Sequence, residues 1–208
     1  MLVIPKDNGL VGIKHLKQLK ISHNSISGLI PSDIGNLAGL EMLDFGNNLL
    51  TGVIPESIGK LTRLQKLGLY VNYLSGHLPS SIGNLSSLLK LYADGNSLEG
   101  PIPPSIGNLS KLFSLLLSNN NLTGLIPNEI MELPSISMYL GLSNNMLEGP
   151  LPLEVGSLVH LEQLFLSGNK LQVRYLILLA TAGSWKSSQW MATRSKEIYL
   201  LRSRTWQA

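Results

Sequence analysis

Seven asparagines, at positions 24, 48, 72, 96, 120, 145 and 169, are spaced by 24 residues in every interval but one, which is 25. Apolar residues precede each of them by three, five and usually eight positions. The clearest copies read Leu64-x-x-Leu67-x-Leu69-x-x-Asn72 and Leu112-x-x-Leu115-x-Leu117-x-x-Asn120. A unit this short cannot bury its apolar side chains alone, so the copies must stack on one another. The second half of each copy is equally regular, with Gly at 28, 52, 76, 100, 124 and 149, Pro at 31, 55, 79, 103, 127 and 152, and then Ile-Gly-x-Leu, as in Ile34-Gly35-Asn36-Leu37.

Each recurring residue has a physical role. Alternating apolar positions point inward under the period of two, so stacked copies form a parallel sheet with one buried face. An Asn at the turn can spend both amide donors and its carbonyl on backbone groups left unpaired by the bend, so Asn24, Asn48, Asn72, Asn96, Asn120, Asn145 and Asn169 are expected to form a polar ladder. Gly permits the bend after the Asn, and Pro keeps the segment that follows it out of a sheet. These residues are scaffold: they build a surface without saying what it touches. One copy slips, with an extra residue before Tyr139-Leu140-Gly141 and Met131 where other copies have Gly. A bulge that leaves the stacking intact is expected there.

The phrase Leu49-Leu50-Thr51-Gly52-Val53-Ile54-Pro55-Glu56-Ser57-Ile58-Gly59-Lys60-Leu61 resembles the plant-specific class of leucine-rich repeats. Over about 15–171 the chain resembles the ectodomains of plant leucine-rich-repeat receptor-like serine/threonine kinases, a group that includes microbial-pattern immune receptors. The resemblance implies an α/β-type repeat solenoid, a right-handed curved horseshoe with a parallel sheet on its concave face and a 3-10 or irregular convex side. It also implies an extracellular or plasma-membrane setting, recognition in signalling or defence, and a peptide, protein or co-receptor partner. The kinase signatures His-Arg-Asp, Asp-Phe-Gly and a Gly-rich nucleotide loop do not occur in this sequence, nor does the cysteine-bearing N-terminal cap of such ectodomains.

Three units are expected: an incomplete repeat over 1–14, the solenoid over 15–171 with 24-residue repeats, and a non-repeat tail over 172–208. The net charge of +3 divides unevenly between them. Residues 1–171 carry ten Lys/Arg and twelve Asp/Glu, whereas the tail carries six basic residues against the single Glu197, with all three tryptophans and none of the eleven prolines. Written with the permitted codons CAG GTG AGA TAC CTG ATA, Gln172–Ile177 reads Gly-Glu-Ile-Pro-Asp in an alternative frame, and permitted codons through Thr181 continue it as Thr-Ile-Gly-Asn. These fall at the spacings from Asn169 that earlier copies show. The tail is therefore expected to be frame-shifted or mis-spliced and poorly ordered, and its Arg194, Lys196, Arg202 and Arg204 are not read as a nucleic-acid patch.

Chemistry has little to work with. Cysteine is absent, which removes disulfides, thiol nucleophiles and thiolate metal sites, and His15, His23, His77 and His160 share no acid partner or ligand spacing. No enzyme, metal or cofactor is expected. No stretch reaches the roughly 18–20 apolar residues of a membrane span, and the N-terminus lacks the apolar core of a signal peptide. Function is expected on the outward strand positions, where Lys66, Tyr70, Lys90, Tyr92 and Asp94 cluster and Leu116 and Phe165 add apolar side chains. Asn84, Asn108 and Asn121 open Asn-x-Ser/Thr acceptors for glycosylation, taken to fall outside the strands. Two other readings stand beside a receptor-derived binding module: a free-standing secreted inhibitor of a microbial enzyme, resembling polygalacturonase inhibitors, and a truncated product without a function of its own.

Overall fold

The computed structural model describes residues 15–172, 190–192 and 198–201. The incomplete repeat expected over 1–14 and most of the tail lie outside the described residues. Each repeat contributes one strand to a concave sheet: β1 (Gln18–Lys20), β3 (Met42–Asp44), β5 (Lys66–Gly68), β7 (Lys90–Tyr92), β9 (Ser114–Leu116), β11 (Tyr139–Gly141) and β13 (Gln163–Phe165). All pair in parallel with residues one repeat apart in register, as in Leu43↔Leu67 and Leu91↔Leu115. The inward leucines Leu43, Leu67, Leu91, Leu115, Leu140 and Leu164 are at most 1% exposed and form one continuous core with Ile34, Ile58, Ile82 and Ile106 of the convex side. Burying each such side chain contributes on the order of 2 kcal/mol.

A second parallel sheet of seven strands was not foreseen from the sequence. It consists of β2 (Ser27–Leu29), β4 (Leu49–Val53), β6 (Tyr73–His77), β8 (Ser97–Pro101), β10 (Asn121–Gly124), β12 (Met146–Pro150) and β14 (Lys170–Gln172), each following a ladder Asn. A glycine at positive φ interrupts most of these strands, Gly52 at 74° and Gly76 at 69°, so their own residues favour a strand only weakly. What holds them extended comes from the next repeat. Leu50 N–H donates to Asn72 Oδ1 at 3.0 Å and Leu98 N–H to Asn120 Oδ1 at 3.0 Å. The segments after Pro31, Pro55, Pro79, Pro103 and Pro152 form 3-10 turns, closed by bonds such as Ile58 N–H to the Pro55 carbonyl at 3.0 Å.

The slipped copy carries its extra residue just ahead of β11: Ser137 and Met138 N–H both donate to the Phe113 carbonyl, at 3.2 and 2.9 Å, and Glu162 and Gln163 N–H then donate to the separate carbonyls of Ser137 and Met138, where Gln65 and Lys66 share the single carbonyl of Glu41. From Tyr139↔Ser114 and Leu140↔Leu115 onward the parallel register is unbroken. The same copy also differs on its convex side, where Pro127, Ile130 and Leu133 keep the spacing of Pro55, Ile58 and Leu61 but the 3-10 turn widens into a single α-turn, α1 (Asn128–Met131), with Glu132 N–H donating to the Asn128 carbonyl at 3.2 Å. Met131 explains the change. At the matching position of other repeats only hydrogen fits: a Cβ on Gly59 would stand 2.5 Å from the Ser81 carbonyl oxygen, and one on Gly83 2.4 Å from that of Ser105. With Met131 there, the next turn cannot approach as closely, and a cavity of about 110 Å³ opens, lined by Met131, Leu133, Pro134, Leu158 and His160 among others.

Beyond β13 the parallel order ends. Ile198–Leu201 runs antiparallel to β13, with Phe165↔Tyr199 in register, and Trp190–Ala192 runs antiparallel to it in turn.

Candidate ligand-binding site on the concave face

The ladder fixes the curvature on which any site must sit. Asn72 donates through Nδ2 to the carbonyls of Leu69 (3.1 Å) and Tyr70 (3.2 Å) in its own turn and of Phe45 (3.0 Å) in the preceding repeat. Asn48, Asn96, Asn120, Asn145 and Asn169 repeat this pattern, each also accepting a backbone N–H from the preceding repeat. Among the described residues Asn24 makes only the local bonds, to Ile21 and Ser22, and it is exposed.

The residue before each ladder Asn sits in the left-handed region: His23, Asn47, Val71, Gly95, Asn119, Asn144 and Gly168, with φ between 50° and 69°. Val71 is the one β-branched residue among them, and it is 48% exposed. A left-handed β-branched residue costs about 1–2 kcal/mol relative to Gly or Asn. Val71→Asn should therefore raise stability by about 1 kcal/mol in urea unfolding.

On the concave face the structure brings Lys66, Tyr70 and Tyr92 together around Asp44, in β3. Lys66 Nζ donates to Asp44 Oδ2 at 2.6 Å, and only 8% of the Asp44 side chain is exposed. Gly46 N–H donates to Asp44 Oδ1 at 3.2 Å, which orients the carboxylate. Lys66 also lies 6.0 Å from the centre of the Tyr92 ring. The Tyr70 ring rests over Gly46, where a Cβ would meet ring carbons at 2.2 Å, and its edge faces His23 with centroids 6.4 Å apart. A Cβ on Gly68 would meet Asp44 Oδ1 at 2.8 Å. The two glycines thus form a floor onto which an aromatic ring and a carboxylate fold flat.

Lys90 pairs in register with Lys66 but turns elsewhere, its Nζ 5.2 Å from the Phe113 ring centre. Phe113 went unnoticed because it lies just ahead of the strand. Asp94 is half-buried in the column that holds Tyr70. Burial pushes its carboxyl above the usual carboxylate range, and a hydrogen bond from its own backbone opposes this in part. A raised folded-state pKa means that the fold favours the protonated acid, so this contribution is present at low pH and lost as pH rises through the folded pKa. Asp94→Asn should accordingly be more stable than the parent at neutral pH and equal to it at about pH 3, in paired urea titrations.

Leu116 and Phe165 stand apart from this cluster. Leu116 neighbours Tyr92 in register and leans over Gly141, whose Cβ would meet Leu116 Cδ2 at 2.7 Å, while Phe165 lies two strands beyond Leu116. The face between them is lined by hydroxyls, with Ser167 Oγ bonded to Ser143 Oγ at 3.1 Å and Ser118 Oγ accepting Ser143 N–H at 3.1 Å. The three glycosylation acceptors are all exposed. Asn84 and Asn108 end convex 3-10 turns, whereas Asn121 begins β10 and so does lie in a strand. Among the described residues no cluster of His, Asp or Glu could hold a metal, and no helix is long and apolar enough to cross a membrane.

The family model described as Leucine Rich Repeat matches residues 15–37, 39–61, 63–85, 87–109 and 111–133. The chain belongs to the leucine-rich-repeat family. In fold and repeat sequence it is a module of the kind that plant receptor kinases use as ectodomains. Among solved structures, it is similar to the ectodomain of the Arabidopsis thaliana membrane receptor kinase GASSHO1/SCHENGEN3 in complex with CASPARIAN STRIP INTEGRITY FACTOR 2, at 40% identity and a TM-score of 0.77, over 78% of this chain and 19% of that one. It is similar to the plant peptide hormone receptor RGFR1 in complex with RGF2, at 39% identity and a TM-score of 0.78, over 81% and 27%. With Pollen Receptor Kinase 3 it shares 30% identity and a TM-score of 0.67, over 75% of each chain. The chain thus spans 19% and 27% of the first two receptors it matches. Among curated proteins none matches the chain.

Proposed function

We propose that this chain is the recognition surface of a receptor-like kinase ectodomain, and that its concave face binds an extended peptide or protein segment outside the cell. The observation that carries this reading is the cluster at β3, β5 and β7. A partly buried Lys66–Asp44 pair and the Tyr70 ring are held on a glycine floor, with Tyr92 beside Lys66 and with Lys90 and Asp94 at its border. Rigid aromatic side chains beside fixed charges are what anchors an interface, because they lose little conformational entropy on binding. A strand-lined face also presents rows of side chains at about 4.8 Å spacing, which suits an extended partner. The similarity to receptors solved with CASPARIAN STRIP INTEGRITY FACTOR 2 and RGF2 supports the same reading. Leu116 and Phe165 would extend the surface toward the C-terminal repeats. Glycans at Asn84, Asn108 and Asn121 would sit away from the cluster.

The test uses linear peptides selected on the chain from a displayed random library. In a Tyr70→Ala/Tyr92→Ala double variant, loss of two central aromatics should weaken the selected peptides by about 30-fold or more. Unchanged affinity in a variant that still unfolds like the parent would reject this patch.

A further inference from the structure

We infer that residues 172–208 are an adjacent-frame reading of the same repeat array, so that the gene continues the solenoid, and with it the concave face, past β13. In the frame as translated, Gln172, opposite Pro150, is the last residue described in the array, and the strands described beyond it, Trp190–Ala192 and Ile198–Leu201, pair antiparallel rather than parallel.

The argument rests on residues with a single codon. In the adjacent frame, each triplet takes the last nucleotide of one codon and the first two of the next, and can be numbered by the later residue. Trp185, Trp190, Met191 and Trp206 then fix four triplets without freedom: GAA (Glu) at 186, GAT-GGC (Asp-Gly) at 191 and 192, and GCA (Ala) at 207. The next ladder position after Asn169, one 24-residue repeat on, is 193. Relative to that position the fixed residues fall where earlier copies carry the same ones. Glu stands where Glu41 and Glu162 stand before Asn48 and Asn169, Asp-Gly where Asp94-Gly95 precede Asn96, and Ala where Ala38 follows Asn24.

Three further triplets end in TG because they enter Trp codons, which restricts 185, 190 and 206 to Leu, Met or Val. These are the positions of the core residues Leu88, Ala93 and Leu37, all fully buried in the repeats that hold them. The triplet at 193 ends in AC, which admits Asn, and that at 197 ends in GA, which admits only Gly or Arg, where the array calls for Gly. A single nucleotide restored ahead of a CAG codon for Gln172 would join the frames and place Ser, Pro, Thr or Ala at 172, three residues after Asn169, as Ser75 stands three residues after Asn72. The Asp-Gly pair would then put an outward carboxylate into the concave column of Asp94.

Sequencing genomic DNA and transcript across codons 165–208 tests this directly. The expected result is an adjacent frame open through position 207, with Asn at 193 and Gly at 173 and 197. A shift present in the genomic DNA would mark a coding lesion and one confined to the transcript a displaced splice junction, and both support the inference. An internal stop in that frame, or any residue but Asn at 193, would overturn it.

Discussion

Asn120→Ala is expected to lower the unfolding free energy by about 3 kcal/mol, a large part of the stability of an ordinary domain. The side chain is 7% exposed and donates to the carbonyls of Ala93 (3.0 Å), Leu117 (3.1 Å) and Ser118 (3.2 Å) while accepting Leu98 N–H at 3.0 Å. Truncation leaves the Leu98 donor in an apolar interior that a methyl group cannot satisfy, at about 1–3 kcal/mol, and strips the Ala93 carbonyl of the shorter of its two amide bonds, leaving that from Asn96 Nδ2 at 3.2 Å. The effect should also spread. Leu98 lies in β8 of the second sheet and Ala93 at the end of a concave strand, so one substitution loosens both sheets where they join. Asn24→Ala supplies the internal control, because Asn24 is exposed and, among the described residues, bonds only to Ile21 and Ser22 of its own turn. Its loss should cost well under about 1 kcal/mol. Equal losses in urea denaturation of the two variants would contradict the ladder as the element that ties repeats together.

Gly83→Ala should destabilise by about 2–3 kcal/mol through a different cause. A Cβ at Gly83 would stand 2.4 Å from the Ser105 carbonyl oxygen and 2.7 Å from Ser105 Cβ, in the next convex turn. The obstructing atoms are backbone and its first side-chain carbon, so no rotamer change relieves the clash and the turns must separate. The protein shows what separation looks like, at Met131, where α1 replaces the 3-10 turn and the 110 Å³ cavity opens. With the Ser105 turn packed directly on Gly83, the strain must pass into the stacking. A neutral outcome would mean that the convex spacing is set elsewhere.

Much of the concave sheet and core was legible because it depends on residues that recur at fixed places. Leu67 and Leu69 mark a strand, Asn72 its turn, and Pro79 and Ile82 the turn behind it. The second sheet was hidden because its strands are defined from outside. Leu49–Val53 is short and broken by Gly52, and what extends it is the Asn72 side-chain carbonyl, which accepts from Leu50 N–H 22 residues earlier. The extra residue of the slipped copy was visible ahead of Tyr139, and it is taken up there, at Ser137 and Met138, so that the buried leucines of the sheet keep their register. The α-turn at Asn128–Met131 was not visible, because it follows from how closely the next convex turn can approach Met131. The site was half visible in the same way. Period and register put Lys66, Tyr70, Lys90, Tyr92 and Asp94 on one face, yet the direction each side chain takes is a matter of its neighbours. Gly46 lets Tyr70 lie flat, Asp44 captures Lys66, and Phe113 draws Lys90 aside. Phe165 shares the outward column but not the cluster.

Val71 sharpens the link between structure and use. A strained, half-exposed apolar residue between Tyr70 and Tyr73 sits where Asn or Gly would cost nothing, as the other repeats show. Its replacement by Asn is expected to stabilise the fold, which fits a surface where stability and recognition are traded against each other.

The claim that the concave face is the recognition surface is tested most directly by amide hydrogen exchange on the chain with and without a tightly bound peptide from the displayed library. Protection on binding should fall on β5, β7 and β9 and the turns that follow them, from about Lys66 to Ser118. Protection confined to the convex turns or to the outer face of the second sheet would contradict the account.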